Sequence, residues 1–157
     1  MYDGPYNPPF MNIRLCAWIY ALLFVLVTAL GYIPGFTDDK GLLFGLFSLQ
    51  LHDDLLHLAS GVWAGVAAWQ STQASILYFK LFGALYGLDG ILGLATGHGY
   101  LDLGILLHDP VSLDLWTRIA ANIPHILIGG LAVYIGFFLS KSYGRKNVLP
   151  PNSPPTT

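Results

Sequence analysis

The chain has 157 residues, 54% of them hydrophobic and only 10% charged, with a formal net charge of −2. A soluble domain carries about a quarter charged residues, so this composition excludes a water-dissolved globule and reads as an integral membrane protein. The length leaves no room for a second domain, and no nucleic acid is expected as a partner.

The first dozen residues, with Pro5, Pro8 and Pro9, read as a short irregular arm. Four apolar windows follow, roughly 15–33, 51–69, 76–95 and 119–140, each near the ~20 helical residues that cross a bilayer. Arg14 precedes the first window as it would a signal peptide. The run of ~19 residues is longer than the usual 7–15-residue signal core and lacks an A-x-A-like site, so it reads as a retained anchor. Cys16, the single cysteine, can form no intramolecular disulfide and reads as a small apolar residue. Gly31, Pro34 and Gly35 supply a stop. After a turn at Asp38-Asp39-Lys40, the stretch 41–47 is too apolar for a free loop and is expected at the membrane interface or against the bundle.

The second window carries a ladder: Gln50, Asp54, His57, Gly61, Ala64 and Ala68, at steps of 4, 3, 4, 3 and 4. Alternating steps of three and four keep side chains on one face of an α-helix. The polar stretch 70–75 is short enough to make the second and third windows antiparallel neighbours. The third window holds Lys80 near its start, Asp89 near its end, and Gly83, Gly87 and Gly90 as positions for close helix approach. In the next connection, Asp109-Pro110 reads as an N-cap with proline at the first helical position. A short interfacial helix is expected there, with Trp116 at headgroup depth. Solvent contact is expected for His52, His98 and His108.

The fourth window repeats the ladder as Arg118, Asn122, His125, Gly129, Ala132 and Gly136, offset by 68 throughout. Pro124 should kink this helix. The tail 148–157, with four prolines, is expected to be disordered. Arg14, Lys80, Lys141, Arg145 and Lys146 lie toward one end of the windows, whereas Asp38, Asp39, Asp102, Asp109 and Asp114 lie toward the other. Lys/Arg excess marks the cytoplasmic side, which places both termini in the cytoplasm. The predicted fold is an all-α membrane protein: one domain over 1–147, a four-helix transmembrane bundle. Two parallel helix–loop–helix repeats, about 12–70 and 76–140, are related by a pseudo-two-fold axis along the membrane normal.

The candidate site is a polar layer of Asp54, His57, Asp89, Asn122 and His125. His57 falls six residues into its window, ~9 Å at 1.5 Å per residue, and His125 and Asp89 fall at similar depth, so all three belong to the outer leaflet. Gly61, Gly65, Gly83, Gly87, Gly129 and Gly136 read as helix-packing positions. One reading makes the layer interhelical hydrogen bonding that locks the bundle. A second is a metal or haem site using His57, His125 and Asp54, although Asn122 is a poor transition-metal ligand and no Cys or Glu joins in. A third is a proton or small-amphiphile site, a quinone headgroup among the occupants that suit it. No nucleophile–base pair or phosphate loop points to an enzyme, and no particular cofactor is indicated. The expected surroundings are lipid, with other membrane subunits or further copies of the chain as partners.

At residues 54–61 (DLLHLASG) and 122–129 (NIPHILIG) the chain resembles a bacterial family of small four-helix membrane proteins of unknown function. In that family each half carries an N-x-x-H-L-x-x-G-like motif; Asp54 stands here for the first Asn. The resemblance covers roughly 15–140 and implies four spans in the cytoplasmic membrane, with no activity to carry over. Architecture alone gives a looser likeness to four-span bacterial proteins linked to quinone chemistry.

Overall fold

Polar side chains cap the N-terminal ends of three of the long helices. A computed structural model describes residues 12–39, 42–45, 47–48, 51–101, 103–107 and 114–141. Helix α1 (Ile13–Leu30) begins where the Asn12 side chain accepts from the Arg14 backbone N–H. Helix α2 spans Leu51–Gln70 and α3 spans Thr72–Thr96. Only Ser71 separates them, a tighter turn than 70–75, and its side chain accepts from the Ala74 N–H. Gly97, at φ +91°, ends α3 in the left-handed conformation that glycine adopts freely. Helix α4 is a single turn, Gly104–Leu107. Helix α5 (Leu115–Val133) runs through Pro124 and continues as a π-helical segment, Tyr134–Leu139.

The Asp109-Pro110 cap, His108 and the Pro-rich tail lie outside the described residues. The cap that starts the last long helix is Asp114, whose carboxylate accepts from the backbone N–H groups of Trp116 and Thr117. The Thr117 hydroxyl and these amides hold its carboxyl below the usual carboxylate range. A depressed folded value means the contribution is present above the unfolded value near 4 and is lost as pH falls through the folded one. Amide exchange at Thr117, corrected for intrinsic rates, should therefore quicken as the solution is acidified below about pH 4. An Asp114→Asn variant should lose that dependence.

The fold is all-helical, as expected, but for one small element. Between α1 and α2 the chain forms a small antiparallel hairpin, β1 (Leu42–Leu43) with β2 (Phe47–Ser48), Leu43 opposite Phe47. Leu43 is buried, so this apolar connection rests on the bundle.

The long helices pack as two antiparallel pairs. On α1 and α2, Gly65 lies by Trp18 and Gly61 by Ala21. The Arg14 guanidinium donates to the carbonyls of Ala68 and Trp69, at 2.7 and 3.1 Å, closing the end of α2. On α3 and α5, Gly93 lies by Asn122, Gly90 by His125, Gly83 by Val133, and Gly136 by Lys80. Glycine permits this proximity. A Cβ at Gly83 would lie 2.6 Å from the Val133 nitrogen, and one at Gly136 would lie 2.7 Å from the Lys80 nitrogen. At Gly61 the nearest atom is the Ala21 carbonyl oxygen, 3.1 Å away. Gly65 and Gly87 differ from the other packing positions: a methyl there would meet nothing closer than 3.6 and 4.0 Å, so close approach does not require glycine at either.

The pairs meet through rings. Tyr20 and Phe24 of α1 pack edge-on against Phe79, Phe82 and Tyr86 of α3, with centroids 5.1–5.9 Å apart. The Tyr20 hydroxyl also donates to the Ile128 carbonyl of α5.

Several polar side chains are buried beside the aromatic core, and many large apolar ones face outward. Asp54, His57, Ser60, Ser75, Asp89 and Asn122 are buried, whereas Leu22, Leu55, Leu77 and Leu127 are each more than half exposed. A water-soluble protein avoids an apolar exterior of that extent. Three helices are long and apolar enough to cross a membrane: Ile13–Leu30, Thr72–Thr96 and Leu115–Leu139. The 20-residue α2 is the least apolar of the four because His52, Asp53, Asp54 and His57 crowd its first two turns.

Candidate functional site

The three-four spacing does what helical geometry requires: Asp54 and His57 share the inner face of α2, and Asn122 and His125 share that of α5. The two imidazoles converge. Their ring centroids lie 6.5 Å apart with perpendicular planes. His125 Nδ1 is 2.8 Å from Asp89 Oδ2, so α5 is tied to α3. The other oxygen of Asp89 accepts from the backbone N–H groups of Tyr100 and Leu101, at 2.7 and 2.9 Å. Gly99 makes room for that turn, since a Cβ there would lie 2.8 Å from Asp89 Oδ1. Asp89 is therefore a fully engaged carboxylate, 2% exposed, as a buried charge must be.

His57 is held differently. Its ring stacks on Phe24 at 5.8 Å, and its Nε2 lies 3.2 Å from the Tyr86 hydroxyl. The Tyr86 ring in turn packs against the His125 ring at 4.5 Å. His57 is 8% exposed, and its Nδ1 is buried without a hydrogen-bond partner among the described residues.

The remaining predicted residues stand at the margin of this arrangement. Asp54 Oδ2 accepts from the Tyr32 hydroxyl at 2.7 Å, while its Oδ1 has no partner among the described residues. Bonding to that carboxylate pushes the Tyr32 phenol above its ordinary range. Asn122 donates to the Arg118 carbonyl and presses its side-chain oxygen against Gly93, away from the histidine pair. His52 and His98, expected in water, are half-buried.

Beside the rings lies a cleft of about 240 Å³. His57, His125 and Tyr86 line it with Phe24, Val27 and Pro124, and Leu43 and Phe44 of the hairpin border it. Few polar groups in an otherwise apolar cavity is the usual make-up of a small-molecule site, although typical pockets run about 300–1,000 Å³. Sequence reasoning missed Tyr86, Phe24 and Val27. Their signal was a second offset: 62 residues carry Leu30-Gly31 to Leu92-Gly93 and also Phe24 to Tyr86.

For a metal ion the donor set is thin. Asp54 is engaged by Tyr32 and His125 Nδ1 by Asp89. Among the described residues no three His, Cys, Asp or Glu side chains converge as an ion requires.

A family model described as a domain of unknown function (DUF4383) matches residues 14–138. No curated protein and no solved structure matches the chain.

Proposed function

This chain belongs to the DUF4383 family of unknown function, and we propose that it is a four-span membrane bundle of two parallel hairpin repeats holding a small apolar molecule in the histidine cleft. The cleft itself carries the reading: an apolar chamber inside the bundle with two imidazoles and a phenol at its wall.

The outward face of α2 supports a fourth span. Leu51, Leu55, Leu58, Val62, Val66 and Trp69 are all exposed, and its buried side chains include Asp54, His57 and Ser60. The repeat draws support from matched contacts. An offset of 62 relates α1 to α3, and 68 relates α2 to α5. Under these offsets Gly61 against Ala21 and Phe24 corresponds to Gly129 against Gly83 and Tyr86. His57 on Phe24 likewise corresponds to His125 on Tyr86. The basic groups Arg14, Lys80 and Lys141 gather where α1 begins and α5 ends, which favours that end, and both termini, facing the cytoplasm. The cleft then belongs to the outer half of the bilayer of the cell membrane. The reading is one of binding, not of catalysis.

Thermal unfolding of the full chain in detergent tests the pocket with butylbenzene, an apolar probe of suitable size. Butylbenzene should raise the midpoint of the wild type by several degrees, as any ligand of the folded state does. Val27→Trp, which fills the chamber, should abolish the rise. An equal rise in both proteins would mean the probe binds elsewhere and the pocket reading fails.

A further inference from the structure

The two histidines occupy corresponding places but unequal surroundings. His125 Nδ1 has the Asp89 carboxylate. Under the offset of 62 the counterpart of Asp89 is Val27, which has no acceptor to offer; Val27 and His57 both line the cleft, and His57 Nδ1 has no partner among the described residues. A polar atom buried in this way carries a cost unless something satisfies it.

Hydrogen-bond accounting fixes what is wanted. The Tyr86 phenol has one hydrogen, and the acceptor beside it is His57 Nε2. If the phenol donates there, both groups are satisfied and the imidazole hydrogen resides on Nδ1. The opposite tautomer would strand the phenolic hydrogen and leave a bare lone pair on Nδ1, two unsatisfied features instead of one. The free position is thus a donor, the same role that His125 Nδ1 plays toward Asp89.

We infer that the cleft seats an apolar, ring-sized molecule whose terminal acceptor oxygen, a neutral carbonyl or a carboxylate, takes the Nδ1–H of His57 in the place Asp89 fills for His125. The inference rests on the pocket reading and specifies its ligand. A quinone supplies the neutral carbonyl and a free fatty acid the carboxylate. The walls complement the rest of such a molecule: Phe24, Val27, Pro124 and Ile128 offer only hydrocarbon contact.

Three probes on one skeleton separate the possibilities in the full-length protein: butylbenzene, 4-butylacetophenone and 4-butylbenzoate. At least one oxygen-bearing probe should bind about tenfold or more tightly than butylbenzene, the value of one hydrogen bond of ~1.4 kcal/mol. The tighter of the two names the source, quinone-like or acid. His57→Phe retains a ring to stack on Phe24 and removes the donor, so the ratio of affinities between the favoured probe and butylbenzene should fall from about tenfold to about one. In the wild type, the His57 Nδ1 nitrogen resonance should shift on adding the favoured probe while remaining that of a protonated nitrogen, a readout that needs no variant. Three results overturn the inference with the pocket intact: equal affinity for all three probes, an advantage that survives His57→Phe, or an Nδ1 signal that is unprotonated. Failure of every probe to bind overturns both readings.

Discussion

Gly129→Ala should be among the most damaging single-methyl changes in this protein, costing about 3 kcal/mol, the upper end for overpacking a rigid site. The added carbon would collide with the Gly87 nitrogen and lie 2.7 Å from its Cα. Both are backbone atoms of α3, so no rotamer change relieves the contact. The helices must separate, and the His125–Asp89 bond one turn away is strained with them. Gly87→Ala is the matched control, because the two glycines face each other across the same gap. A methyl on Gly87 comes no nearer than 4.0 Å to Gly129. It should be neutral, or stabilising by up to about 1 kcal/mol through helix propensity. Unfolding in detergent should thus show a large drop for one alanine and none for the other. Similar midpoints for both would mean that α3 and α5 do not pack in this register.

Asp89→Ala should cost a comparable amount, about 3 kcal/mol, for a different reason. It strands His125 Nδ1 and the backbone donors of Tyr100 and Leu101, and each buried group left unpaired costs about 1–3 kcal/mol. Asp89→Asn keeps one acceptor oxygen for the two backbone amides, and its amide group can still meet the imidazole in the other tautomer. It should recover at least half of the loss. Amide exchange at Tyr100 and Leu101 locates the effect: fast in the alanine variant, near wild type in the asparagine one. Equal exchange in the two variants would show that the carboxylate does not anchor that turn.

The histidine cluster was readable in the sequence because helical spacing is a rigid rule. Once 54, 57, 122 and 125 are assigned to inward faces, only the rotation of each helix remains open, and buried polar groups in apolar helices have one place to go. What spacing could not supply was pairing. Asp89 could have served either histidine; the close glycine contacts between α3 and α5 decide for His125. Asn122 kept its predicted face but spends its amide on its own helix. Tyr86 and Phe24 read as ordinary core rings, since an aromatic residue announces burial and not partnership. The hairpin at 42–48 went unseen because its strands are two residues long, too short for any alternation to register. Gly65 and Gly87 looked like the other glycines because composition cannot tell which side of a helix meets a neighbour at backbone distance.

The two kinds of seam in the molecule have unequal tolerance. Between α3 and α5 the joint is backbone against backbone, and at Gly83, Gly129 and Gly136 even one added carbon has nowhere to lie. Between the pairs it is a stack of phenyl and phenol groups, which can be exchanged for one another with little change in volume and can tilt to absorb a misfit. A chain built this way can vary ring for ring along its midline while its halves stay fixed. The chamber beside His57 opens on that softer joint, where its shape can change without disturbing either half.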